Sequence, residues 1–236
     1  MNNEEKNTKI DDNLMTTTES TILNDNSPAR IIPRNHRTMT GFVHGNNNGM
    51  YSGFESSLER DALILIAFNP SIVSYLSQPR TFNYFHDNKK REYTPDIFIE
   101  YSNGKKVYIE VKYREDIQKD WNILKPKFKA AIEHLSAEKD TRFKIWTEKE
   151  IRTPLLKNAT FLLPYKHRSF ENYQLEMIKK VVSRFPETNP EDVINICSSN
   201  LEARAEFLNT LWYALSNQIV NADLTRPLTM KSSIWI

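Results

Sequence analysis

The chain has 236 residues, a formal net charge of +2 and a single cysteine, Cys197. One cysteine excludes an intramolecular disulfide and is typical of a reducing compartment. No apolar run approaches the ~20 residues that a membrane span needs, and the polar N-terminus lacks the apolar stretch of a secretory signal, so we expect a cytoplasmic protein.

Charge is divided unevenly along the chain. Residues 1–26 hold six acids and two lysines, a net charge of −4, so the other 210 residues together carry +6. A mildly basic body is compatible with nucleic acid binding. Residues 1–28 offer little to bury, and we predict that they form a disordered acidic N-terminus.

Residues 29–168 have the pattern of an α/β domain with a mixed sheet. An amphipathic helix is predicted to start near Phe54 or Glu55 and to end at Asn69-Pro70. Pro126 is predicted to be the first residue of a second helix, which ends near Glu138 and has an apolar stripe that includes Ile132. Four strands are predicted before this second helix and one after it: 72–78, 81–85, 94–101, 106–113 and 143–147. A polar loop is predicted at 86–92.

Residues 169–236 are predicted to form a small domain of winged-helix type. Helical patterns cover three stretches there: 170–185, 190–198 and 201–216. Two short strand-like pieces, 218–224 and 228–236, follow them and would form a terminal hairpin.

The strand at 106–113 carries the most informative pair of side chains, Glu110 and Lys112. Side chains two apart on a strand share a face and lie about 6.6 Å apart. A three-residue loop, Ser102–Gly104 with Gly104 left-handed, would place Asp96 of the preceding strand opposite Glu110. Opposed side chains are close enough to share a cation. A two-residue turn would instead place Asp96 opposite Val111, on the wrong face.

A further carboxylate, Glu59, lies on the predicted first helix. A carboxylate on a largely apolar helix needs a partner, and we expect a metal ion or a lysine. Asp96, Glu110 and Glu59 are therefore our candidate Mg²⁺ ligands, because magnesium prefers oxygen ligands. Lys112 would orient the attacking water or stabilise charge in the transition state of phosphodiester hydrolysis.

Pro95-Asp96 followed by Glu110-Val111-Lys112 resembles the signature of PD-(D/E)xK nucleases. Three further motifs follow one another in the chain: residues 54–61, residues 68–70 and Gln78-Pro79. With them the chain is similar to TnsA, the endonuclease subunit of heteromeric cut-and-paste transposases. Some members of that family have glutamine in place of the strand acid, whereas this chain has Glu110.

The resemblance implies a restriction-endonuclease-like core followed by a winged-helix-like domain. It implies nicking of the 5′ ends of a transposon in double-stranded DNA with Mg²⁺, or with Mn²⁺ as a substitute. It further implies two partners, a DDE transposase similar to TnsB, which processes the 3′ ends, and an AAA+ regulator similar to TnsC. The expected setting is the bacterial cytoplasm, with the protein on the nucleoid when it is assembled on DNA.

By motif match, the catalytic residues of the family fall on Glu59, Asp96, Glu110 and Lys112. Glu55 is a rival for the helix carboxylate, and Gln78 is a further candidate that would face the metal or the DNA backbone. Two alternatives stay open at this point. One is a free-standing restriction or repair nuclease, and the other is an assembly adaptor whose nuclease site has decayed.

Overall fold

The computed structural model of the protein describes residues 41–44 and 51–236. The predicted disordered N-terminus at 1–28 lies outside the described residues. In chain order, the strands are β1 (Gly41–His44), β2 (Tyr51–Phe54), β3 (Ile72–Ser77), β4 (Phe82–His86), β5 (Lys89–Tyr93), β6 (Ile97–Tyr101), β7 (Lys106–Val111), β8 (Thr141–Trp146), β9 (Asn221–Ala222) and β10 (Ile234–Trp235). The α-helices are α1 (Ser57–Phe68), α2 (Arg114–Lys119), α3 (Trp121–Leu135), α4 (Glu148–Ile151), α5 (Pro154–Leu162), α6 (Asn172–Arg184), α7 (Pro190–Cys197) and α8 (Leu201–Ser216).

Four strands form the central sheet, in the spatial order β3-β6-β7-β8. The first two pairings are antiparallel, and β7 pairs with β8 in parallel. A parallel pair needs a crossover connection, and α2 with α3 supplies it here. The predicted α/β class with a mixed sheet is therefore confirmed.

The turn between β6 and β7 has the predicted three-residue form. Gly104 has φ +79°, the left-handed conformation that glycine adopts without a steric penalty. Its backbone N–H donates to the carbonyl of Tyr101 at 2.9 Å. Ile97 consequently pairs with Ile109, and one residue further along the ladder Asp96 lies opposite Glu110, as the sequence predicts.

The polar loop predicted at 86–92 is wrong, because β4 and β5 form a hairpin there. Asp87 and Asn88 make a two-residue turn, with φ of +50° and +56°. Such a turn requires positive φ at both positions, which Asp and Asn tolerate better than most residues. Residues 89–92 are all exposed, so no alternation of apolar and polar residues marks β5 in the sequence.

Helix α1 begins slightly later than predicted and ends where predicted. Phe54 belongs to β2, and Ser56 is the N-cap, whose hydroxyl accepts from the backbone N–H of Glu59 at 3.1 Å. Asn69 is the C-cap. The helix buries the apolar residues Leu58, Ala62, Leu63, Ile66, Ala67 and Phe68.

Helix α3 begins at Trp121, five residues before Pro126. The prediction that Pro126 is the first residue of this helix is therefore wrong. An internal proline costs a helix about 3 kcal/mol. Burial of Leu124 and Phe128 on either side of it offsets that cost. The predicted apolar stripe is also corrected at Ile132, which is 54% exposed.

The central sheet is covered on both faces. One face packs Ile97, Ile99 and Ile109 against α1. The other packs Tyr108 against α3 and against the β4–β5 hairpin. Asp96 and Glu110 lie at the sheet end where these two layers meet.

The C-terminal stretch is helical, as predicted. The predicted strand-like pieces are much shorter in the structure, where β9 and β10 have two residues each and pair antiparallel. The core of this region also contains Phe68 of α1 and Ala159 and Leu162 of α5. The winged-helix assignment stays a prediction. None of the helices in the described part of the chain has the length and apolar character needed to cross a membrane.

Candidate active site

Three polar residues follow one another across the ends of adjacent strands. Gln78 directly follows β3, Asp96 directly precedes β6, and Glu110 lies in β7. The backbone N–H of Gln78 donates to the carbonyl of Asp96 at 2.7 Å. We call Gln78, Asp96 and Glu110 the strand-end row.

Glu110 is 3% exposed and has two side-chain partners. The hydroxyl of Tyr93 donates to its Oε2 at 2.7 Å, and the ammonium of Lys127 lies 3.1 Å from its Oε1. Lys127 also lies over the ring of Tyr93, 4.8 Å from the centroid. Burial and the charge of Glu110 raise the pKa of Tyr93, so its hydroxyl remains a donor. The two donors fix the orientation of the Glu110 carboxylate.

Asp96 lies among like charges. Its Oδ2 accepts from the backbone N–H of Val111 at 2.7 Å. Part of the residue remains accessible to solvent, yet burial of the carboxylate is the largest cause that raises its pKa well above the usual value. The charges of Glu110 and Glu59 raise it further, and the Val111 hydrogen bond and the charge of Lys112 oppose them. The three carboxylates therefore converge closely enough to repel one another.

Glu59 lies in the first turn of α1, and its contacts within the protein are hydrogen bonds from its own helix start; the expected metal ion stays a prediction. Its carboxylate accepts from the backbone N–H of Glu55 at 2.8 Å and from the hydroxyl of Ser56 at 2.9 Å, not from a lysine. Burial raises the pKa of Glu59, with smaller contributions from the charges of Glu55 and Glu110. Glu55 precedes the helix, so Glu59 is the carboxylate that the helix itself presents beside Asp96.

Lys112 comes directly after β7 and is partly exposed. Its charge lowers the pKa of Asp96. Among the described residues, its ammonium has no ion pair within 4 Å. It is therefore a cation beside the carboxylates that is not committed to a salt bridge.

Gln78 has two unfavourable features. Its φ is +48°, a left-handed conformation that costs a residue with a side chain about 1–2 kcal/mol. It is only 7% exposed, and its amide Oε1 has no hydrogen-bond partner among the described residues. A buried acceptor without a donor costs about 1–3 kcal/mol. The adjacent Ser77 hydroxyl is also buried and has no partner in the part of the chain that the structure describes.

The donor set fits a hard divalent cation in its chemistry. Within the described ranges, no group of three or more His, Cys, Asp or Glu side chains is arranged to hold a metal ion as it stands. Glu59 and Glu110 each accept hydrogen bonds from protein donors. Magnesium nevertheless prefers carboxylate oxygens. After burial, the charges of Glu110 and Glu59 are the next causes that raise the pKa of Asp96, and a cation held by these carboxylates would relieve that repulsion.

The sequence did not predict that Tyr93 and Lys127 contact Glu110. Tyr93 lies on β5, which the sequence presents as a polar loop, and Lys127 is one of several lysines at the start of α3. Spacing along the chain gives no signal for either residue, because the hairpin and the crossover helix bring them to Glu110. Both are visible only in the tertiary structure.

The α/β fold with a mixed sheet, and the carboxylates and lysine at its strand ends, are similar to what the resemblance to PD-(D/E)xK nucleases implies. A family model described as "TnsA-like endonuclease N terminal" matches residues 69–148. That segment spans β3 to the start of α4 and contains the strand-end row and Lys112. The chain carries a TnsA-like nuclease domain, which confirms the resemblance seen in the sequence. No curated protein matches the chain.

Proposed function

We propose that the protein is the Mg²⁺-dependent endonuclease subunit of a transposase, which nicks the 5′ ends of a transposon while a DDE-class partner processes the 3′ ends. The observation that carries this proposal is the β6–β7 register, which places Asp96 opposite Glu110. Glu59 is the third carboxylate there: burial is the main cause that raises the pKa of Asp96, and the charges of Glu110 and Glu59 raise it further. The match to a TnsA-like endonuclease domain supports the same reading. Residues 169–236 would contact DNA and an AAA+ regulator.

Mg²⁺ held by Asp96, Glu110 and Glu59 would polarise the scissile phosphate and lower the pKa of a bound water. Tyr93 and Lys127 keep the Glu110 carboxylate in one orientation through their hydrogen bonds at 2.7 and 3.1 Å. Such outer partners typically change metal affinity or activity by about 10- to 100-fold when they are removed.

Lys112 and Gln78 act on the reacting groups in this proposal. The unpaired ammonium of Lys112 stabilises negative charge that develops on the phosphate. The Oε1 atom of Gln78 accepts a hydrogen bond from a water in the site, which satisfies its missing donor. The oxygen of the attacking water bonds to phosphorus as the P–O3′ bond breaks, leaving a 5′-phosphate and a 3′-hydroxyl.

The test is reconstitution with the DDE transposase and the AAA+ ATPase that this proposal requires as partners, to be sought among the neighbouring genes, on a plasmid that carries the transposon ends. The wild type should give nicks at the 5′ ends in Mg²⁺. Asp96→Asn should lose these nicks and retain 3′ processing by the partner. Unchanged 5′ products from Asp96→Asn would overturn the assignment of the site.

The same assay separates the two alternatives. A free-standing restriction or repair nuclease would cut plasmid DNA without the transposase and the ATPase. A decayed adaptor would support transposition equally well as the wild type and as Asp96→Asn. A transposase subunit requires its partners and the carboxylate together.

A further inference from the structure

The β4–β5 hairpin is a separate two-stranded sheet that does not pair with the central one. Its base is fixed in the core, where Phe82 and Tyr93 are 1% and 5% exposed. The hydroxyls of Thr81 and Thr94 lie 2.7 Å apart across the base. The hairpin therefore projects from a rigid attachment.

The tip of this hairpin is exposed and cationic. Lys89, Lys90 and Arg91 are exposed, and none of them forms an ion pair with a described residue. Phe85, which lies opposite Lys90, is 79% exposed. Two acids share the tip: Asp87 pairs with His86 at 3.4 Å, and Glu92 lies opposite Asn83.

The hairpin is connected directly to the candidate active site. Arg91 and Lys89 share a strand face with Tyr93, because side chains alternate along a strand. They lie about 7 and 13 Å from Tyr93 along that face. Tyr93 itself donates to Glu110, so these cations extend away from the carboxylates in one line.

A depression of about 620 Å³ lies between the hairpin and α3. Phe85 and His86 line it from the hairpin, and Lys125 and Lys129 line it from the helix. Glu133 is the acid at this depression, and it already pairs with Lys129 at 3.5 Å. Lys125 is therefore left as the uncompensated charge among the residues that line this depression, and that charge is positive.

We propose that the β4–β5 hairpin binds the phosphate backbone of duplex DNA beside the scissile phosphate. The inference rests on the proposed nuclease function and names the surface that holds its substrate. Adjacent cations that pair with no described residue suit a dense row of phosphates. This row starts about 7 Å along the strand from Tyr93, whose hydroxyl donates to Glu110, so a duplex held there would pass close to the carboxylates.

The experiment measures binding of the full-length protein to a fluorescein-labelled random-sequence duplex of about 30 base pairs by fluorescence anisotropy. EDTA is present so that no cleavage occurs, and the KCl concentration is varied. The test variant combines Lys89→Gln, Lys90→Gln and Arg91→Gln. The control variant combines Lys105→Gln, Lys139→Gln and Arg142→Gln, which remove the same charge at the end of the sheet away from Asp96.

The plot of log K against log [salt] has a negative slope, and each lost phosphate contact makes that slope shallower by about 0.9. The hairpin variant should therefore bind more weakly, with a slope reduced by up to about 2.7, and the control variant should keep the wild-type slope. Equal slopes in the hairpin variant and the wild type would overturn the proposal. So would equal reductions in both variants, or no wild-type binding at the lowest salt. Failure of the proposed nuclease would appear separately, as binding without nicking in the reconstituted reaction.

Discussion

Asp96→Asn tests whether repulsion among the three carboxylates lowers the free energy of unfolding. Asparagine keeps the shape of the side chain, and its Oδ1 can still accept from the N–H of Val111, which donates at 2.7 Å in the wild type. The substitution removes one of three mutually repelling charges. In metal-free buffer near pH 8 we therefore expect the variant to be more stable than the wild type.

The expected gain follows from the environment of Asp96. A poorly compensated buried polar group costs about 1–3 kcal/mol, and partial solvent access to Asp96 favours the lower half of that range. A gain of about 1–2 kcal/mol corresponds to about 2–8 °C in Tm for a protein of this size.

The pH dependence has a definite sign. The pKa of Asp96 is raised in the folded protein above the ordinary value of 3.8, so the folded state binds more protons than the unfolded state above that pH. Wild-type stability then falls as pH rises through the interval from 3.8 to the folded pKa. The stability difference between variant and wild type should be absent below this interval and fully developed above it.

Magnesium should reverse the order of stability. A ligand at 100 times its Kd stabilises the folded state by about 2.7 kcal/mol, or about 5–10 °C here, and only the wild type has the full carboxylate set. Thermal unfolding with and without 10 mM MgCl2 measures both effects. A variant that is less stable than the wild type in EDTA at pH 8, or an equal Mg²⁺ shift in both proteins, would refute the reasoning.

Three further substitutions test single contacts. Tyr93→Phe removes one donor to Glu110 and should weaken Mg²⁺ binding by about 10-fold, measured by calorimetric titration. Gln78→Met removes the unpaired oxygen at similar volume, so the free energy of unfolding should stay constant or rise by about 1 kcal/mol while 5′ nicking falls. Asn158→Leu breaks the three hydrogen bonds that hold residues 224–228, at 2.7–3.0 Å, and should cost about 2–4 kcal/mol in urea unfolding.

Each of these three predictions has an outcome that would contradict it. Tyr84→Phe is the matched control for Tyr93, because it removes a hydroxyl from the same hairpin away from Glu110. Equal Mg²⁺ affinity of the two variants would exclude an orienting role for Tyr93. Gln78→Met with full nicking would make Gln78 a purely structural residue. A stability of Asn158→Leu equal to that of the wild type would show that the 224–228 loop is held by other contacts.

The register of the site was predictable because it depends on local rules. Gly104 accepts the left-handed conformation that a three-residue turn requires, and this turn alone fixes Asp96 opposite Glu110. Hydrophobic periodicity identified α1, and Asn69-Pro70 identified its end. These features are determined by residues that are close together in the chain.

The remaining parts of the site depend on contacts that are distant in sequence. The exposed strand β5 has no apolar alternation, so the position of Tyr93 beside Glu110 had no local signal. The start of α3 was misplaced because proline statistics favour the first helical turn, whereas packing of Leu124 and Phe128 extends the helix past Pro126. Lys127 lies in the helix under either start, and its contact with Tyr93 depends on how α3 packs against the hairpin.

Polar groups are satisfied very differently in the two halves of the structure. In the C-terminal region, Gln174 is 3% exposed, and its amide donates to Glu206 and accepts from Thr210. At the strand-end row, Asp96 is held among like charges, and Gln78 combines a left-handed backbone with an unpaired oxygen. Strain and unmet polar groups persist where function selects them against stability. These costs fall on neighbouring residues of a TnsA-like nuclease domain, and the proposed cation with its water would relieve both.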